Sequence, residues 1–100
     1  MIRSKAIRNA AKGQDCTVNI VGVCNYNPET VIFAHYPSEG KGMGIKSSDL
    51  CGGFCCSNCH DQLDSRSGKL DYYEKEAYMR RSMVRTLGKL ADMGILTVKG

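Results

Sequence analysis

The side chains best suited to chemistry crowd into one stretch, Phe54-Cys55-Cys56-Ser57-Asn58-Cys59-His60-Asp61-Gln62-Leu63-Asp64. Cys56-x-x-Cys59 has the spacing of half a zinc site or of a redox pair. A tight turn entering a helix would aim both sulfurs at one point. Zinc takes four tetrahedral ligands, and structural sites are commonly built from two cysteine pairs on separate turns. The second pair is best supplied by Cys16 and Cys24, which bracket a turn with Gly22 close to Cys24. Cys51 and Cys55 are left over. On a strand Cys55 would point away from Cys56, with Cys51 on that same far face, so both read as small buried hydrophobes. The redox reading of Cys56-x-x-Cys59 needs a thioredoxin-like strand–helix context, which the rest of the chain lacks.

His60 follows the cysteine pair directly, and Asp64 lies four residues on, on the same helix face. A histidine and a carboxylate so placed can hold a divalent ion whose other positions are filled by water and phosphate oxygens. The plainer alternative makes His60 a neighbour of the zinc or a surface residue. The second histidine, His35, closes a strand-like run; a histidine there is ordinarily a satisfied structural group.

At 100 residues the chain is expected to form a single domain, residues 1–100, small enough to need a metal, disulfides or a partner subunit for firm stability. It contains no apolar run long enough for a signal peptide or a membrane span, so no membrane association and a cytoplasmic location are the expectation. In that compartment six thiols point to metal rather than disulfides. A formal charge of +4, from 14 Lys and Arg against 10 Asp and Glu, permits a nucleic-acid partner without demanding one. The distribution is more pointed. Arg3, Lys5, Arg8 and Lys12 cluster near the N-terminus, and Arg80, Arg81, Arg85 and Lys89 recur near the C-terminus. Such clusters suit phosphates and equally suit any solvated helix face.

The elements that position these groups follow from pattern. Residues 3–12 are rich in helix formers, with Ile7, Ala10 and Ala11 on one face and Gly13 as a stop. Cys16–Ile20 alternates and is β-branched, which predicts a short strand, and Val21–Cys24 turns back. Residues 30–36 are the most strand-like run, ended by Pro37. Residues 37–48 form a glycine-rich loop carrying Lys41 and Lys46. No helix follows it directly, so it fits a hairpin connection rather than a nucleotide-binding loop. Residues 49–54 read as a second strand. Ser57 reads as the N-cap of a helix over 58–65. The longest helix spans about 72–92, with Glu76, Met79, Met83, Leu87 and Leu90 or Ala91 as its inward stripe. Its amphipathic face makes a homodimer conceivable. Gly94 ends it, before a short strand or extended tail at 95–98.

A strand ending in histidine, a loop, a second strand and then Cys-x-x-Cys-His on a helix resembles the HNH nucleases over roughly residues 16–66. More narrowly, Lys12-Gly13-Gln14-Asp15-Cys16, Gly22-Val23-Cys24, Asn27-Pro28-Glu29-Thr30, Ala34-His35, Asp49-Leu50 and Cys56-Ser57-Asn58-Cys59-His60-Asp61 are similar to the YbcO-like family of small prophage-encoded nucleases. The resemblance implies an α+β, zinc-stapled strand–strand–helix core with a short N-terminal and a long C-terminal helix. It implies that Cys16, Cys24, Cys56 and Cys59 hold structural Zn²⁺, and that His35 is the general base. His60 and Asp64 would bind a catalytic ion, Mg²⁺ or another divalent metal, with Asp49 orienting His35 or joining the ligands. Ala34 stands where HNH enzymes usually place a further ligand. The implied activity is metal-dependent endonucleolytic hydrolysis of DNA, read through backbone structure rather than sequence, with Lys41, Lys46, Arg80, Arg81 and Arg85 as contacts. The competing expectations are a non-catalytic zinc-stabilised nucleic-acid-binding module and a prophage adaptor protein.

Overall fold

The computed structural model describes residues 2–36, 48–65 and 68–99. Helix α1 (Lys5–Ala10) is followed by a 3-10 turn (Pro28–Thr30), strands β1 (Ile32–His35) and β2 (Gly52–Cys55), helix α2 (Ser57–Asp64) and helix α3 (Tyr72–Asp92). The architecture is α+β: the two strands form an antiparallel hairpin with Phe33 opposite Phe54 and His35 opposite Gly52. Helix α3 covers one side of β2 and α1 lies against β1. None of the described helices is long and apolar enough to cross a membrane.

Local sequence accounts for the helix ends. Ser4 caps α1 by accepting from the Ile7 amide, and Gly13, at φ +80°, takes the left-handed conformation that closes the following turn. Asp71 and Glu74 form a reciprocal capping box on α3, and Gly94 at φ +75° leads the chain away. Helix α2 starts one residue earlier than expected. Its N-cap is Cys56, whose sulfur accepts from the Cys59 amide, so one side chain serves both cap and cysteine cluster.

Three further expectations are corrected. Cys16–Ile20 is no strand: the Thr17 amide reaches the Phe54 carbonyl at 2.8 Å, but Asn19 turns to φ +51° and the ladder ends there. Strand β2 begins at Gly52 rather than residue 49, because Ser48–Cys51 is a turn closed by the Cys51 amide on the Ser48 carbonyl. Residues 95–98 likewise form no strand; the Ile95 and Leu96 amides fold back onto the Leu90 carbonyl. The loop expected at 37–48, with Lys41 and Lys46, lies outside the described residues except for Ser48.

The core includes Val18, Ile20, Ala34, Phe54, Cys55 and Leu90, with Ile7 and Ala11 from α1 and its C-cap. The inward stripe of α3 differs from the expected one. Its buried residues are Ser82, Thr86 and Leu90, with Met79 and Met83 half-buried beside them and Glu76 exposed. Ser82 and Thr86 face β2 because the helix comes very close there: a Cβ on Gly53 would sit 2.1 Å from Ser82 Oγ. Their hydroxyls join a buried chain. Thr17 Oγ1 meets Ser82 Oγ at 2.6 Å and Thr86 Oγ1 at 3.2 Å, Tyr36 OH meets Ser82 Oγ at 2.7 Å, and Thr86 Oγ1 accepts from the Phe54 amide at 3.1 Å. Hydroxyls buried so close to backbone are tolerated because each has partners.

Candidate functional site

The sulfurs of Cys16, Cys24, Cys56 and Cys59 all lie within 4.8 Å of one another. Two turns bring them together. The first is the Asn19–Cys24 bend, where Gly22 sits at φ +75° and the Val23 and Cys24 amides both bond the Ile20 carbonyl. The second is the β2–α2 junction, where Cys56 leaves the strand and Cys59 lies on the first helical turn. Zn–S bonds of about 2.3 Å in a tetrahedron place sulfurs about 3.8 Å apart. Cys24 Sγ and Cys56 Sγ are separated by 3.8 Å.

The Cys55 thiol hydrogen-bonds the Cys16 sulfur, and despite the opposing effect of burial, with amides of Asn19, Cys56 and Val18 also directed at that sulfur, the Cys16 thiol is brought down to about 4. Burial pushes Cys24 and Cys59 up, and the charge on Cys16 adds to the effect. A stabilised thiolate among thiols that resist ionisation is the environment a divalent ion completes. The donor set fits zinc. Of the other two cysteines, Cys55 is buried as expected, but its sulfur contacts Cys16 instead of facing away; Cys51 is only half-buried.

The cluster anchors one wall of a cleft of about 230 Å³ whose lining includes His35, Tyr36, His60, Asp64, Tyr72 and Lys75. The histidines thus come to one cleft from the end of β1 and the first half of α2, each with its side chain 35% exposed. His60 Nε2 lies 3.4 Å from Asp64 Oδ2 across one helical turn. These two donors can hold an ion by nitrogen and oxygen, and no third metal-binding side chain groups with them among the described residues. Ala34 is buried against the core and offers no ligand.

His35 is itself held. Its Nε2 lies 2.7 Å from Asp49 Oδ1, and Asp49 is completely buried. Burial alone would push that carboxyl up, but the bonds from His35 and the Ser4 amide, with the charge of Arg8, hold it below the ordinary carboxylate value. A carboxylate held in this way can accept from the His35 ring.

Of the basic residues expected at a nucleic acid, Arg80 is exposed. Arg81 bonds the Val18 carbonyl and, at 3.0 Å, the Asn19 carbonyl, and it stacks on the Tyr78 ring at 4.9 Å. Arg85 bonds Asn19 Oδ1 at 3.1 Å and the Thr17 carbonyl at 3.4 Å. Both guanidiniums brace the turn that carries Cys16 and Cys24. Lys41 and Lys46 lie outside the described residues. Sequence reasoning missed the buried hydroxyl chain, whose signal was the four-residue spacing of Ser82, Thr86 and Leu90, and the contacts of Ser4, Arg3 and Arg8 with Asp49.

The chain is similar to known proteins over most of its length. A family model described as "Putative nuclease YbcO" matches residues 5–95. "Putative nuclease YbcO" of Escherichia coli (strain K12) and "Putative nuclease ybcO" of Enterobacteria phage 82 are each 45% identical to the chain over 82 residues, covering 80% of it and 84% of each relative. A solved structure titled "Structure of a putative bacteriophage protein from Escherichia coli str. K-12 substr. MG1655" superposes with a TM-score of 0.72 at 35% identity, covering 89% of this chain and all of the other. With a matching family model over nearly its whole length and relatives this close, the chain belongs to the YbcO family.

Proposed function

We propose that the protein is a metal-dependent, HNH-like endonuclease that hydrolyses phosphodiester bonds in DNA. The observation that carries this reading is the 2.7 Å contact between His35 and the buried Asp49, at the edge of a cleft that His60 and Asp64 also line. The names borne by the YbcO relatives support the nuclease class. An ionised Asp49 can only accept, so it fixes the His35 proton on Nε2 and leaves the Nδ1 lone pair to take a proton from water. His60 and Asp64 would hold a divalent ion, Mg²⁺ or a similar metal. When bound there, such an ion supplies charge stabilisation at the scissile phosphate and the departing oxygen. Cys16, Cys24, Cys56 and Cys59 would carry structural zinc, which fixes the start of α2 and with it His60. Arg80, together with Lys41 and Lys46, remains as the proposed backbone contact set; Arg81 and Arg85 act mainly within the fold.

Incubation of supercoiled plasmid with the zinc-loaded protein and Mg²⁺ or Mn²⁺ tests the proposal. Cleavage by the wild type that His35→Ala and His60→Ala both lose is the expected result. No cleavage with any divalent ion, alongside salt-sensitive DNA binding, would instead identify a zinc-stabilised binding module, the reading that buried Ala34 favours by withholding a ligand.

A further inference from the structure

Arg3 and Arg8 belong by sequence to a basic cluster suited to phosphate, yet both turn to Asp49, the carboxylate that hydrogen-bonds His35. Arg8 Nε lies 3.8 Å from Asp49 Oδ2 and Arg3 Nη1 lies 3.9 Å from Asp49 Oδ1. The backbone joins in. The Ser4 amide donates to Asp49 Oδ2 at 2.6 Å, the Asp49 amide donates to the Ile2 carbonyl at 2.9 Å, and the Ile2 amide reaches Ser48 Oγ at 3.2 Å. Residues 2–8 thus close over Ser48–Asp49 from a distance of more than forty positions in sequence.

We propose that this N-terminal clasp belongs to the catalytic centre, with Arg8 and Arg3 as positioning residues that keep Asp49 an obligate acceptor and so fix the tautomer of His35. The inference rests on the nuclease reading for its catalytic consequence, but its structural content stands apart from it. A fully buried carboxylate with no cation nearby tends to take up a proton. A protonated Asp49 could donate its own hydrogen to His35 Nε2, which would move the ring proton to Nδ1 and remove the lone pair the reaction needs. Two guanidiniums on one carboxylate oppose that reversal. The Ser4 amide fixes the other oxygen, so the carboxylate cannot swing away from the ring. Ser4 does this while its hydroxyl caps α1, which ties the position of Arg8 on that helix to the same point.

The test uses the full-length zinc-loaded protein labelled with ¹⁵N-histidine. Wild type, Arg8→Lys, Arg8→Gln and the double variant Arg3→Gln/Arg8→Gln are compared by imidazole nitrogen shifts and by plasmid-cleavage kinetics, with zinc content and Tm confirming that each is folded. Wild type is expected to show His35 as a single Nε2–H tautomer. The double glutamine variant should show a mixed or Nδ1–H tautomer and a kcat lowered ~10–100-fold with KM little changed, a loss typical of removing a partner that orients a functional histidine. Arg8→Lys should recover most of the rate. An unchanged tautomer in the double variant overturns the proposal, as does a loss confined to KM, which would make these arginines phosphate contacts. If the wild type cleaves nothing, the nuclease reading falls, and the tautomer comparison alone still decides whether the clasp holds His35.

Discussion

Asp49 and Cys59 show how much a single atom type decides in a domain this small. Asp49→Asn keeps an oxygen facing His35 but removes the charge that both guanidiniums answer, and the amide can rotate to present its NH₂ to the ring. Cleavage should fall roughly 10²–10⁴-fold, the range seen when a buried acid that sets a histidine tautomer is neutralised; plasmid-nicking rates check this against the Tm of the same variant. Among the cysteines the consequences should differ sharply. Cys59→Ser removes a buried ligand from the four-sulfur cluster, so bound zinc should drop well below one per chain and the protein should unfold or aggregate. Cys51→Ser alters a half-buried thiol outside the cluster and should leave zinc content unchanged, at a cost within about 1 kcal/mol. Metal analysis and thermal melts on the two variants make the comparison, and equal damage from both would mean that the ligand set is wrong.

Between elements, the decisive contact is α3 on β2, where glycine and small hydroxyl residues let a helix approach a strand closely. Gly53→Ala puts a methyl group 2.1 Å from Ser82 Oγ and 3.2 Å from the Ser82 carbonyl carbon, so the helix backbone itself must move. A cost of about 1–3 kcal/mol is expected, seen as a Tm lower by roughly 5–20 °C with zinc still bound. This contact also marks the limit of what sequence conveys. The apolar repeat of α3 and its stop at Gly94 were legible, and its bounds emerge as expected from 72 to 92. Its buried face was not, because the spacing of Met79, Met83 and Leu87 describes an apolar stripe, whereas the closest approach is made by Ser82 and Thr86, whose hydroxyls find partners only in three dimensions. The same holds for Cys16–Ile20. Its β-branched alternation is real, but the left-handed turn at Asn19, braced by Arg81 and Arg85 from α3, overrides it. The four cysteines of the cluster were legible from spacing, while the partners of Asp49 were not, since nothing local joins Ser4 and Arg8 to a residue so far along the chain.

At the scale of the whole molecule, the cysteine cluster sits where three parts meet: the bend after Cys16, the end of the hairpin and the start of α2. The hairpin alone has two strands of four residues each, too little to be stable by itself in water. Loss of the metal should therefore be felt at a distance, in the placement of His60 on α2 and in the seating of α3 on β2, and not only at the sulfurs. If the cluster holds zinc as proposed, chelation is expected to collapse near-ultraviolet dichroism in one cooperative transition, because structural zinc binding in small domains contributes on the order of 10 kcal/mol. The pH dependence has a definite sign. Zinc would be bound by thiolates, and Cys24 and Cys59 are held above the ordinary thiol value, so binding would expel their protons. Acid favours the protonated thiols and hence release. At a fixed chelator concentration the protein should lose zinc and unfold at pH 6 while remaining folded at pH 8, with refolding when Zn²⁺ is restored at the higher pH. Zinc retention that did not weaken toward acid would show that the metal, if present, is held by groups other than these four sulfurs.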